Sequence, residues 1–138
     1  MNLEKYDDIS WHEEGDFPAG IPQRNAGSHI AYFLAWAFRR GFLSDELNEA
    51  FAQELEAIKR GEFASTRLLT AMDSKVTSED MTLEGGNVAQ AIYDTFVDRW
   101  QTWCDNHGFA TMYHAPPSPE HEAAAGSILD DLYLSQSR

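Results

Sequence analysis

The sequence predicts a mainly α protein: an irregular bundle of four or five helices with a long N-terminal loop or strand-like arm. Two observations predict it. Apolar residues recur at helical spacing along several stretches, and glycines or prolines punctuate the ends of those stretches. The chain of 138 residues, 43% hydrophobic and 12% aromatic, holds enough apolar material for one core and not for two. A single helical domain over 1–138 is therefore expected.

Residues 1–27 form the expected arm. Tyr6, Ile9 and Trp11 are apolar points among Asp7, Asp8, Ser10 and His12, and Gly15, Pro18, Gly20 and Pro22 oppose a helix. The first helix is expected over about 28–40, with Ser28 as N-cap and Gly41 after its end. It is apolar nearly all round, which predicts a central, buried helix. A second, amphipathic helix is expected over about 45–60, capped by Ser44 and ended by Gly61, with Glu46, Glu49, Glu54 and Glu56 outside. A short helix follows at about 66–73, and Thr77 with Asp80 suggests a capping box before a turn at 78–84.

Gly85-Gly86 reads as a break before a long helix at about 87–106, whose Val88, Ile92, Phe96, Trp100 and Trp103 share one face. It should pack on the 28–40 helix. Phe109 to Tyr113 reads as extended. The 115–119 segment is a Pro-rich connector, with Pro119 suited to the first position of a last helix reaching about Leu134.

Charge narrows the function classes. With 23 acidic against 10 basic side chains, net −13, the chain repels nucleic acid and anionic lipid and favours basic partners. No nucleic-acid or membrane partner is expected, no apolar run is long enough to span a bilayer, and the acidic start carries no secretory signal. One cysteine, Cys104, excludes an internal disulfide and a multi-cysteine zinc site, and the cytoplasm is the expected compartment.

No complete catalytic site is visible. Asp7, Asp8, His12, Asp16 and His29 contain the ingredients of a metal centre, but their spacing matches no established ligand pattern. No cofactor and no tightly bound divalent metal are expected. Asp7 and Asp8 are expected to accept backbone hydrogen bonds in a turn, and His29 to be a satisfied structural group. His107, His114 and His121 lie in different segments. Cys104, between Trp103 and Asp105, reads as a core residue, and Asp94 with Asp98 as a solvated face.

The N-terminal third resembles a known family. Lys5-Tyr-Asp-Asp-Ile-Ser-Trp-His12, then Gly15-Asp-Phe-Pro18, then Ala26-Gly-Ser-His-Ile-Ala-Tyr-Phe-Leu-Ala-Trp36, is similar to a family of small bacterial proteins of unknown function. The ordered match covers about residues 5–47, with a weaker echo at Leu68-Leu69 and over Thr77–Asn87. The resemblance implies a link with polymorphic-toxin immunity, hence inhibition by direct binding, and transfers no catalytic residues. Glu13-Glu14 stands where relatives carry an uncharged pair such as Tyr-Gly.

The expected function is an immunity protein, an antitoxin that occludes the basic cleft of a bacterial toxin. Tyr6, Trp11 and Tyr113 are the expected aromatic anchors. Asp7, Asp8, Glu13, Glu14 and Asp16 are the expected acidic contacts. The alternatives are a small metal-dependent hydrolase using Asp7, His12, Asp16 and His29, or a helical regulatory or oligomerising module.

Overall fold

The computed structural model describes residues 4–14 and 17–136. The protein is mainly α. A two-stranded antiparallel ribbon, β1 (Lys5–Asp8) with β2 (Lys75–Thr77), accompanies seven α-helices: α1 (Ile9–Glu13), α2 (Ser28–Arg39), α3 (Asp45–Ala50), α4 (Ala52–Lys59), α5 (Ser65–Ala71), α6 (Leu83–Asn106) and α7 (Pro119–Gln136).

α2 is the hub, as its apolar circumference predicts. Every residue from Ser28 to Ala37 is buried. A residue set like this has no solvent face, so neighbours must surround it. α5 and α7 pack along it. α6 meets it through aromatic rings, with Tyr32 5.7 Å from Trp100 and Phe33 5.0 Å from Tyr93, both edge to face. The expected pairing of the two richest helices is therefore present. Gly41 follows the helix at φ +77°, a left-handed C′ conformation that glycine adopts without strain.

Several local expectations are corrected. The arm over 1–27 contains the strand its strand-like character suggests, but also a short helix and a 3-10 turn at Gln23–Gly27, which were not expected. Asp8 makes α1 possible: its Oδ1 accepts from the Ser10 backbone N–H at 3.0 Å, an N-cap before the breakers begin. The 3-10 turn runs directly into α2, so Gly27, not Ser28, occupies the N-cap position, without a side-chain cap.

The expected 45–60 helix is two helices. Phe51, at φ −120° and ψ 35°, turns the axis so that Leu47 on α3 and Leu55 and Ile58 on α4 all reach the core. Both the Ser44 cap and the Thr77–Asp80 capping box are present. The 109–113 stretch is not a strand, and a 3-10 turn forms at Met112–His114.

Gly85-Gly86 does not break the chain. Thr82 caps α6, accepting from the Gly85 N–H at 2.9 Å, and both glycines sit in the first turns. Glycine is needed there for another reason. A Cβ on Gly85 would stand 2.5 Å from the Phe42 carbonyl oxygen. That close approach lets the Phe42 carbonyl accept from Thr82 N–H at 2.8 Å and locks the α2–α3 link to the start of α6.

Among the described residues, no helix is long and apolar enough to cross a membrane.

Candidate functional site

The polar centre of the molecule is Asp7, and the irregular ribbon explains its position. Lys5 pairs with Thr77 and Asp7 with the very next partner, Val76, so β1 carries one extra residue at Tyr6. A bulge of this kind re-aims the side chains beside it. Here Asp7 turns inward, 3% exposed.

A buried carboxylate needs donors for its lone pairs. Oδ1 accepts from Asp8 N–H at 2.8 Å and lies 2.7 Å from His12 Nε2. Oδ2 lies 2.9 Å from His29 Nε2 and accepts from the Tyr93 hydroxyl at 2.6 Å. On its other side His12 contacts Tyr113, with Nδ1 2.5 Å from the hydroxyl oxygen. Asn25 Nδ2 in turn donates to the Tyr113 carbonyl at 2.9 Å. The two imidazoles meet edge to face, 4.5 Å between centroids. The described ion-pair partners of Asp7 are these two histidines, with neither Lys nor Arg among them.

The electrostatics follow from burial against pairing. Burial works against the Asp7 anion, but hydrogen bonds from His12, His29 and Tyr93 outweigh it and hold the carboxyl well below its usual range. Burial pushes His29 down, more strongly than Asp7 pulls it up. Burial and then the Asp7 charge push Tyr93 and Tyr113 up, so both hydroxyls keep their protons.

The sequence-expected site residues separate into two groups. Asp7 is corrected: it lies inside and is not an acidic surface contact. Tyr113 is half-buried with its hydroxyl engaged by His12, so it does not stand outward as a free anchor. Tyr6 is also half-buried, donating to the Gly86 carbonyl at 3.2 Å. Asp8 caps α1 and pairs with Lys5 Nζ at 3.0 Å. Trp11 is 52% exposed on α1, Glu13 half-buried and Glu14 exposed. Asp16 lies outside the described residues. His12 and His29 do converge on Asp7, which their spacing did not disclose. His12 turns to Asp7 and Tyr113.

Tyr93 was missed. The available signal was a phenol on the apolar face of a long helix, between Ile92 and Phe96, because a buried hydroxyl demands a polar partner. The remaining histidines form no further ligand cluster among the described residues: Nδ1 of His107, His114 and His121 contact Trp103 O, Thr111 Oγ1 and Pro116 O, while the His107 and His121 rings both pack on Trp103. Asp94 and Asp98 are exposed, and Arg99 pairs with Asp131 at 2.9 Å.

The chain matches, over residues 5–115, the family described as Domain of unknown function (DUF7832), and it belongs to that family. No curated protein and no solved structure matches it.

Proposed function

We infer that the protein is a binding protein of the immunity type, which neutralises a basic bacterial toxin by occluding its cleft. The observation that carries this reading is Trp11. It is 52% exposed on a helix whose other side is pinned by His12 to a buried carboxylate. A large aromatic presented on a rigid support, among acidic side chains, suits the anchor of an interface.

The surroundings support the same reading. Glu4 and Glu14 are exposed nearby in sequence, although Lys5 Nζ, 5.6 Å from the Trp11 ring centroid, already pairs with Asp8. The net charge of −13 would steer a basic partner toward this face and disfavour acidic ones. The hydrolase alternative is disfavoured by burial. With Asp7 3% exposed and His29 0%, the cluster leaves a substrate no approach to its carboxylate.

Growth assays test the reading. Each toxin domain encoded beside this chain is expressed alone, with the wild-type protein, and with Trp11→Ala. Protection by the wild type and its loss in a folded Trp11→Ala variant are expected. If no toxin is neutralised, or if Trp11→Ala protects as well as the wild type, the proposal is wrong.

A further inference from the structure

Three elements bring three metal-binding side chains to one point. Asp7 comes from β1, His12 from α1 and His29 from α2, and one ligand atom of each lies within 4.8 Å of the other two. We propose that this cluster binds one divalent transition-metal ion of the zinc class, through Nε2 of both histidines and a carboxylate oxygen of Asp7. The inference is independent of the toxin-binding reading.

The donor set selects the metal. Two imidazoles and one carboxylate suit zinc and its neighbours, whereas calcium and magnesium need shells of mostly oxygen. The geometry is close to what such an ion requires. At metal–ligand distances of about 2.0–2.1 Å, tetrahedral ligands stand about 3.4 Å apart. His12 Nε2 lies 2.7 Å from Oδ1 and His29 Nε2 2.9 Å from Oδ2, on different oxygens of the one carboxylate, and one ligand atom of each residue falls within 4.8 Å of the others, so an ion needs the side chains to shift and the carboxylate to turn within the same cluster. Solvent would complete the shell from the side of His12, whose side chain is 14% exposed against 0% for His29.

The surrounding groups are those that orient metal ligands. Asp8 N–H and the Tyr93 hydroxyl hold the carboxylate, and both bonds survive when an ion replaces the two histidine contacts. The Tyr113 hydroxyl stands at His12 Nδ1. With Nε2 on an ion, Nδ1 carries the ring proton and can donate to the Tyr113 hydroxyl, the arrangement by which ligating histidines are commonly fixed. His29 Nδ1 has no partner, so that ring is oriented at Nε2 alone.

Charge supplies the motive. Asp7 is a buried carboxylate whose described ion-pair partners are two histidines, and buried charges are ordinarily paired or bound to metal. A dication there would tie β1 and α1 to α2. The role is structural, since the burial that excludes a substrate does not exclude a bare ion.

The test uses chelator-treated full-length protein, titrated with Co2+ and, separately, Zn2+. One equivalent of Co2+ should produce the visible absorption of a four-coordinate ion, and Zn2+ should displace it and raise Tm, while Mg2+ does neither. Tyr113→Phe keeps all three ligands and should weaken zinc affinity about 10–100-fold. His12→Gln should abolish the cobalt spectrum. If His12→Gln does not fold, Tyr113→Phe decides the matter. No spectrum and no Tm shift in the wild type, or unchanged cobalt binding in either folded variant, would overturn the proposal.

Discussion

Trp36 and Asp130, 94 residues apart, are joined by a hydrogen bond from the indole Nε1–H to Oδ1 at 2.9 Å. The same oxygen lies 2.6 Å from Arg40 Nη2, and the Arg40 guanidinium stands over the rings of Trp36 and Tyr133. One carboxylate on α7 thus gathers the C-terminal end of α2. Trp36→Ala removes both a buried ring and this donor, and Trp100→Ala removes a ring that is 1% exposed. Each should cost about 3–5 kcal/mol in denaturant unfolding. Trp36→Phe should cost less, because a ring still fills most of the buried site and only the donor to Asp130 is lost.

Two glycines within helices should respond oppositely to alanine. At Gly126 an added Cβ meets nothing within 4 Å, so Gly126→Ala should stabilise the protein by about 0.5–1 kcal/mol. At Gly85 it would stand 2.5 Å from the Phe42 carbonyl oxygen and 2.7 Å from its Cβ. Gly85→Ala should destabilise by at least about 1–3 kcal/mol, the range of overpacked sites. Thermal melts of both variants check the contrast, and equal shifts would refute it.

Alkaline pH should weaken the fold through its buried thiol and phenols, Cys104 and Tyr32 among them. Burial pushes the Cys104 thiol up to about 12 from 9.0, and burial likewise pushes the Tyr32 hydroxyl up to about 12 from 10.0. Above its unfolded pKa each group has lost its proton in the unfolded chain while the folded chain still holds it. Stability therefore falls as pH rises between about 9 and 12, by linkage. Cys104→Ala should make that slope shallower in pH-dependent unfolding, whatever its effect on absolute stability. The native thiol should also resist alkylation at about pH 8 until the chain unfolds.

Charge should act on association with a basic partner more than on dissociation. Reversing Glu13 and Glu14 removes acidic charge beside Trp11, where Glu14 is exposed and Glu13 half-buried. Screening acts over about 8 Å at physiological ionic strength, so the on-rate should fall with added salt and fall less steeply in the variant. Stopped-flow association at two salt concentrations measures this. Matching salt slopes for the two proteins would remove the electrostatic account.

Much of the architecture was readable because it is written locally. The α2 hub, the Ser44 cap, the Thr77–Asp80 box and Pro119 at the start of α7 each depend on residues within a few positions of one another. The errors fall where distant residues decide. Gly85-Gly86 resembles a break because its reason, the Phe42 backbone, lies 43 residues upstream in the α2–α3 link. The bend at Phe51 is set by where the core is, not by a breaker residue. At the site, the ingredients were visible as Asp7, His12 and His29, but not their convergence. That depends on an extra residue in β1 and on Tyr93 and Tyr113, which only the folded chain brings near.

The ribbon also orders events during synthesis. Domains emerge N-terminal first, so β1 and α1 leave the ribosome before nearly everything that secures them. Lys5 must await Thr77, Asp7 must await Tyr93, and His12 must await Tyr113. Throughout most of translation the Asp7 carboxylate is hydrated and the arm is open to proteases and chaperones. A segment made before its partners is locked only once they emerge. A nascent chain stalled before Tyr93 should therefore be cut within 4–14 far faster than the finished protein.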